Sequence, residues 1–241
     1  MIENERPFFV ASHRRSGTHL TLDSLVVNFD YFQEGFENFD VDVSSKQSRL
    51  YKTHLDGAEA TTMLSKNAKV VYVVRDGRDV MVSLYNYSKS LDANIKQMNF
   101  SDFLRSPNSY SHSPETDGLN RLEYWNYHVQ SWLSQEQFPT KFVSFDGWKH
   151  AFENTVSELA TYLELPPKEK PQSMVMTSGQ GLAKKIMRRI GLSKTTAIQF
   201  RGGRSEQWKE VFDEPSLDYF RETSADTYQA LVEKIGPEFQ L

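Results

Sequence analysis

The chain has no cysteine among its 241 residues, which removes disulfides, thiolate nucleophiles and cysteine-ligated metal sites. That absence fits a reducing compartment. No apolar run approaches the roughly 18 residues that a membrane span requires, and the opening MIENERP lacks a signal-peptide pattern. A soluble, cytoplasmic protein is therefore expected. Positive charge is also in short supply. Lys and Arg total 28 against 32 Asp and Glu, for a net charge of −4. This argues against general nucleic-acid binding, so any basic groups act locally. Internal repeats and low-complexity tracts are absent too. What remains is ordinary globular composition, 38% hydrophobic and 25% charged. A chain of this length buries about 70% of its unfolded surface.

The order of elements points to an α/β fold. Phe8-Phe9-Val10-Ala11 reads as a short apolar strand, followed by a small basic loop and a helix from His19 to about Phe29. A second strand, Arg49 to Thr53, precedes a helix from about Gly57 to Ser65. The run Ala68 to Val74 is apolar on both faces, as in a central parallel strand covered by helices. Arg75-Asp76-Gly77-Arg78-Asp79 then opens a helix through about Lys89. Residues 91–118 are rich in Asn, Ser and Pro without a sustained period, so an exposed insertion is expected there. Helices over about 119–135 and 148–163 flank a strand from Lys141 to Phe145, and a last helix spans about Pro215 to Lys234. Residues 172–207 read as a long basic loop with a short helix near Ala183 to Ile190. Strands alternating with helices predict a doubly wound parallel sheet.

Ligands of such sheets bind beyond the carboxyl ends of the strands. Three strand ends place polar groups on that edge: Arg14 to Thr18, Lys52 to His54, and Arg75 to Asp79. In the first, Gly17 lets backbone approach a ligand, and the amides at a helix start form a cradle for an anion. Arg15 adds a fixed positive charge, and Ser16 and Thr18 add hydroxyl donors. Arg75 directly after a buried strand, with Ser83 eight positions on, suits a second phosphate. Arg201-Gly202-Gly203-Arg204 supplies further guanidinium groups and flexible amides. Three separate anion-binding elements suggest a nucleotide with phosphate groups at opposite ends.

These segments resemble the cytosolic-type sulfotransferases, which use 3′-phosphoadenosine 5′-phosphosulfate (PAPS). Arg15-Ser16-Gly17-Thr18-His19-Leu20 is similar to the family's phosphosulfate loop PKSGTTW. Lys52-Thr53-His54-Leu55 matches its KTHL segment. The stretch from Tyr72 to Ser83 resembles its 3′-phosphate motif. Arg201-Gly202-Gly203 with Trp208-Lys209 matches the spacing of RKGxxGDWK, and His128-Val129-Gln130-Ser131-Trp132 resembles HVxSW. The matches run in the family's order from about residue 7 to 212. The departures are Arg15 for Lys, Leu20 for a Trp that stacks on adenine, Gly202 for Lys, and Glu206-Gln207 for Gly-Asp.

The resemblance implies a P-loop-like α/β domain over residues 1–241, with 91–118 and 172–207 as mobile loops over the active site. It implies transfer of a sulfuryl group from PAPS to a hydroxyl or amine of a small-molecule acceptor, with no metal. His54 is then the general base, and Lys52 and Arg15 stabilise charge on the transferring group. Arg14, Arg15, Ser16, Gly17, Thr18 and His19 hold the cofactor at one end, and Arg75, Ser83, Arg201, Gly202 and Gly203 at the other. His128 and Trp132 are expected to be packing residues on a helix face. Trp208 either stacks near the nucleotide or anchors the core. Two other readings stand beside this one: a P-loop kinase of a nucleotide or small metabolite, and a non-catalytic nucleotide-binding protein. The kinase reading lacks the Lys-Ser/Thr pair of a Walker loop.

Overall fold

The structure, a computed structural model, describes residues 7–32, 36–39, 50–110, 113–175 and 204–241. Five parallel strands form the central sheet: β1 (Phe8–Ala11), β2 (Glu37–Asn38), β3 (Leu50–Thr53), β4 (Lys69–Val74) and β5 (Thr140–Ser144). Their spatial order is β2-β3-β1-β4-β5. From β1 the chain runs to the edge strand β2, returns inward to β3 beside β1, and then crosses to lay β4 and β5 on the other side. The sheet therefore has its switch point at the carboxyl end of β1.

Register fixes what meets there. Ala11 pairs with Thr53 on one side and with Tyr72 on the other. The segments leaving β1, β3 and β4 thus emerge side by side.

Burial follows the two-residue period of a strand. Val70, Tyr72 and Val74 face one hydrophobic cluster, and Val71 and Val73 face the other. The first cluster is roofed by α2 (Gly57–Met63), α3 (Gly77–Lys89), α6 (Arg121–Ser134) and α9 (Glu214–Lys234). The second is covered by α1 (Thr18–Asn28), α7 (Phe145–His150) and α8 (Phe152–Leu163). The doubly wound expectation holds.

Two local expectations are corrected. Residues 91–118 are not wholly an exposed insertion, because they carry α4 (Ala93–Gln97) and α5 (Phe100–Arg105). Phe103 and Leu104 are fully buried there, and the side chains of Asp92 and Asn99 cap the two helices. Helices of five or six residues are too short to display a period. The strand expected over Lys141 to Phe145 ends at Ser144, whose hydroxyl accepts from Gly147 N–H, so the helix expected from about Trp148 begins at Phe145 as α7 and continues as the separate α8. The two-residue strand β2 had no sequence signal. The short helix expected near Ala183 to Ile190 lies outside the described residues.

Candidate active site

The turn after β1 is tightly wound. Arg15 and Gly17 both adopt positive φ, 72° and 106°. Gly17 caps α1 in the left-handed region, and a Cβ there would also sit 2.6 Å from the Phe145 ring. Left-handed residues within such a turn swing successive amides toward one side, which forms an anion-binding concavity. The first amides of α1 add to it, since a helix start leaves them without partners inside the helix. Ser16 and Thr18 are buried, and the Thr18 hydroxyl lies 2.6 Å from that of Ser12.

Two of the predicted phosphate elements, the turn at Arg15 and the Arg75–Ser83 stretch, meet here. Arg15 donates from Nε to Ser83 Oγ at 3.1 Å, and its guanidinium stacks over Tyr87. Arg75 donates from Nη1 to the Arg15 carbonyl at 3.4 Å and from Nη2 to the Arg204 carbonyl at 2.8 Å. It is only 4% exposed, lies over Phe145 and pairs with Asp79 at 3.4 Å. Asp79 also accepts from the backbone N–H groups of Glu206 and Trp208, at 2.9 and 3.2 Å. The start of α3 thereby holds the segment that follows Arg201, Gly202 and Gly203. Those three residues lie outside the described residues. Arg78 is bound to Asp76 at 2.6 Å and covers the Trp208 ring, so Trp208 anchors this corner.

The segment leaving β3 lies beside the same turn. His54 donates from Nδ1 to the Ser12 carbonyl at 2.8 Å. A carbonyl can only accept, so Nδ1 carries the proton and Nε2 is the basic nitrogen. Burial, then the charges of Arg14 and Lys52, hold the His54 pKa well below 6.5. The ring is therefore neutral at pH 7 and able to take a proton. His19 is held to about 4, by burial first and then by the charges of Lys52 and Arg15, and its ring meets Phe36 edge-on.

His128 and Trp132 are fully buried on α6, as expected of packing residues, and they also make hydrogen bonds that the sequence did not show. Three side chains of α6 grip the backbone after β3. His128 Nε2 donates to the His54 carbonyl at 3.2 Å, Trp132 Nε1 to the Leu55 carbonyl at 2.9 Å, and Ser131 Oγ accepts from Gly57 N–H at 2.8 Å. The opposite ring nitrogen of His128 accepts from Tyr72 on β4 at 2.9 Å. Burial lowers the His128 pKa to about 4, which keeps this neutral tautomer. Gly57 is required at the crossing, since an added Cβ would collide with the Ser131 carbonyl. The positions i, i+3 and i+4 lie on one helix face. That spacing was visible in the sequence, whereas the backbone it grips was not.

A cavity of about 250 Å³ opens beside His54, lined by His13, Arg14, His54, Tyr110, Tyr124 and His128. Leu55, Glu59 and Met63 also line it. Arg14 turns toward this cavity, its guanidinium carbon 4.6 Å from the centre of the Tyr110 ring. Of the predicted site residues, Arg15, Ser83 and Arg75 form one linked group. His54 borders the cavity and Lys52 stands two residues before it, while Arg14 lines the same cavity as His54.

This fold and clustering are accompanied by similarity to known proteins. A family model described as a sulfotransferase domain matches residues 29–233. The chain belongs to that family. The matched stretch begins after the turn at Arg15. Mouse Sulfotransferase 1A1 is 24% identical over 185 residues, covering 71% of this chain and 60% of that protein. Cytosolic sulfotransferase 15 of Arabidopsis thaliana is 25% identical over 228 residues, covering 88% of this chain and 59% of that relative. Both alignments thus span about 60% of the relative's length. Among solved structures, mouse sulfotransferase SULT7A1 complexed with PAP superposes with a TM-score of 0.68 at 18% identity, covering 94% of this chain and 85% of that one. Retinol dehydratase in complex with androsterone and PAP superposes at 0.61 with 16% identity, covering 98% and 84%. The chain has the sulfotransferase fold. No helix of the described residues is long and apolar enough to cross a membrane.

Proposed function

We propose that the chain moves a sulfuryl group from PAPS to a hydroxyl or amine of a small-molecule acceptor seated in the cavity beside His54. The observation that carries this reading is the single joint formed by Arg15, Ser83 and Arg75 next to a neutral histidine. The residues suit a nucleotide with phosphates at two ends. Arg75 Nε is buried with no hydrogen-bond partner among the described residues, a donor awaiting an acceptor. The curled turn at Arg15 to Thr18 offers backbone amides to a second anion. When bound, PAPS supplies the sulfuryl group, and adenosine 3′,5′-bisphosphate (PAP) is released.

In this reading Arg15 and the amides of Ser16, Gly17 and Thr18 hold the 5′ end, with His19 at its edge. Arg75 and Ser83 hold the 3′-phosphate, with Arg201, Gly202 and Gly203 completing that side. His54 takes the acceptor's proton at Nε2 as the acceptor oxygen or nitrogen bonds to sulfur and the sulfur–oxygen bond to phosphate breaks. Lys52 and Arg15 offset the charge that develops on the departing oxygen. Catalysis of this kind rests on positioning and charge stabilisation. An acceptor screen with radiolabelled PAPS, with and without a metal chelator, tests the reading. Label should pass to an acceptor in both conditions. Magnesium-dependent transfer from ATP, with PAPS inert, would overturn it.

A further inference from the structure

Arg14 and Arg15 are adjacent, yet their side chains serve different sides of the site. Arg15 reaches Ser83 and Tyr87 on α3, whereas Arg14 enters the cavity and lies over Tyr110. Arg75, Arg78, Arg204 and Arg221 each pair with a carboxylate, and Arg105 and Arg121, without one among the described residues, donate to the hydroxyls of Ser101 and Ser106. Among the described residues Arg14 has no carboxylate partner, and its guanidinium makes no hydrogen bond.

The cavity's other ionisable groups do not replace that missing anion. His13, His54 and His128 are kept neutral, chiefly by burial. Glu59 is drawn toward the start of α2, where its carboxylate accepts from Asp56 N–H at 3.3 Å and completes a capping box. The Tyr110 ring meanwhile lies against the guanidinium, 4.6 Å from its carbon. A guanidinium held against a ring still has N–H groups with which to bind a carboxylate.

We infer that Arg14 forms an anion subsite for the acceptor, so that the molecule sulfated here carries a carboxylate together with its reactive hydroxyl. This deepens the sulfotransferase reading above and rests on it. The volume of about 250 Å³ lies below the range of roughly 300–1,000 Å³ found for drug-sized ligands, so the acceptor is compact, a monocyclic hydroxy acid in scale. One end of it meets the Arg14 guanidinium, and the hydroxyl meets His54, which borders the same cavity.

The test uses two probes of matched shape, para-hydroxybenzoate and para-hydroxybenzamide, titrated into the full chain with and without PAP. The wild type should bind the benzoate about tenfold more tightly than the amide, the scale of a charge-assisted pair. Arg14→Lys should keep part of that preference, Arg14→Gln should erase it, and Arg14→Glu should reverse it. PAP titrated into the same series separates this subsite from the cofactor contact expected of Arg14 from the sequence: the probe ratio should change more across the series than the PAP affinity does. Equal binding of the two probes by the wild type, binding of neither, or a preference that survives Arg14→Gln overturns the inference. So does a loss of PAP affinity in Arg14→Gln with the probe ratio unmoved, which would give Arg14 to the nucleotide. Failure of the wild type to bind PAP, with the benzoate preference intact, would instead count against the sulfotransferase reading while leaving the anion subsite standing.

Discussion

Arg15 donates to the Ser83 hydroxyl at 3.1 Å, and that bond ties the turn after β1 to the second turn of α3. Arg75 extends the tie to the carbonyls of Arg15 and Arg204. The groups proposed to hold the two ends of the donor are therefore joined before any ligand arrives. Preorganisation of this kind reduces the ordering cost of binding.

That joint yields the first prediction. Ser83→Ala removes one partner and should raise the Kd for PAP by about tenfold. Arg15→Ala removes the charge as well and should raise it by about a hundredfold. Calorimetric titration reads both, and affinities equal to wild type would detach this pair from the nucleotide.

His54→Ala should lower kcat by roughly a hundredfold while PAP still binds. The pH profile carries the sign. Burial and the neighbouring cations Arg14 and Lys52 favour the neutral ring, so Nε2 stays unprotonated until the pH falls well below 6.5. The acidic limb of kcat/KM, followed down from neutral pH, should lie below that value. A limb at 6.5 or above would contradict the burial argument.

The grip of α6 on the segment after β3 predicts a split between catalysis and donor binding. Trp132→Phe keeps the ring but deletes the donor to the Leu55 carbonyl. It should cost about 1–2 kcal/mol in urea unfolding and lower kcat severalfold, with PAP affinity unchanged. Ser131→Ala should act the same way more weakly. Loss of stability with full kcat would mark these contacts as packing alone.

Much of the side proposed to hold the nucleotide stood out in the sequence because it sits where strong local signals end. Phe8 to Ala11 and Val70 to Val74 are apolar runs, and each is followed within a few residues by a basic residue and a glycine. Parallel strands bring such ends to one edge. Helices α4 and α5 were hidden by their brevity, although Asp92 and Asn99 were available as caps. The roles of His128 and Trp132 were hidden for another reason. A buried aromatic face looks the same in sequence whether it fills space or donates to a distant carbonyl. The orientation of Arg14 depends on Tyr110, almost a hundred residues away, and no local pattern encodes that pairing.

Asp23 offers a test away from the site. Burial raises its pKa from 3.8 to about 7. The folded carboxyl keeps a proton that the unfolded chain releases above 3.8. Asp23 therefore costs stability as pH rises from about 4 to 7. Asp23→Asn abolishes that titration, so its gain in Tm over wild type should be small near pH 4 and reach about 5 °C or more at pH 8. A gain that does not depend on pH would place the effect in packing instead.

The central claim is that one joint of Arg15, Ser83 and Arg75 receives an adenosine nucleotide phosphorylated at both ends. Calorimetric comparison of PAP with AMP, which lacks the 3′-phosphate, tests it most directly. PAP should bind about a hundredfold more tightly, as expected for added charge-assisted contacts to one phosphate. Equal affinities for the two nucleotides would contradict the account.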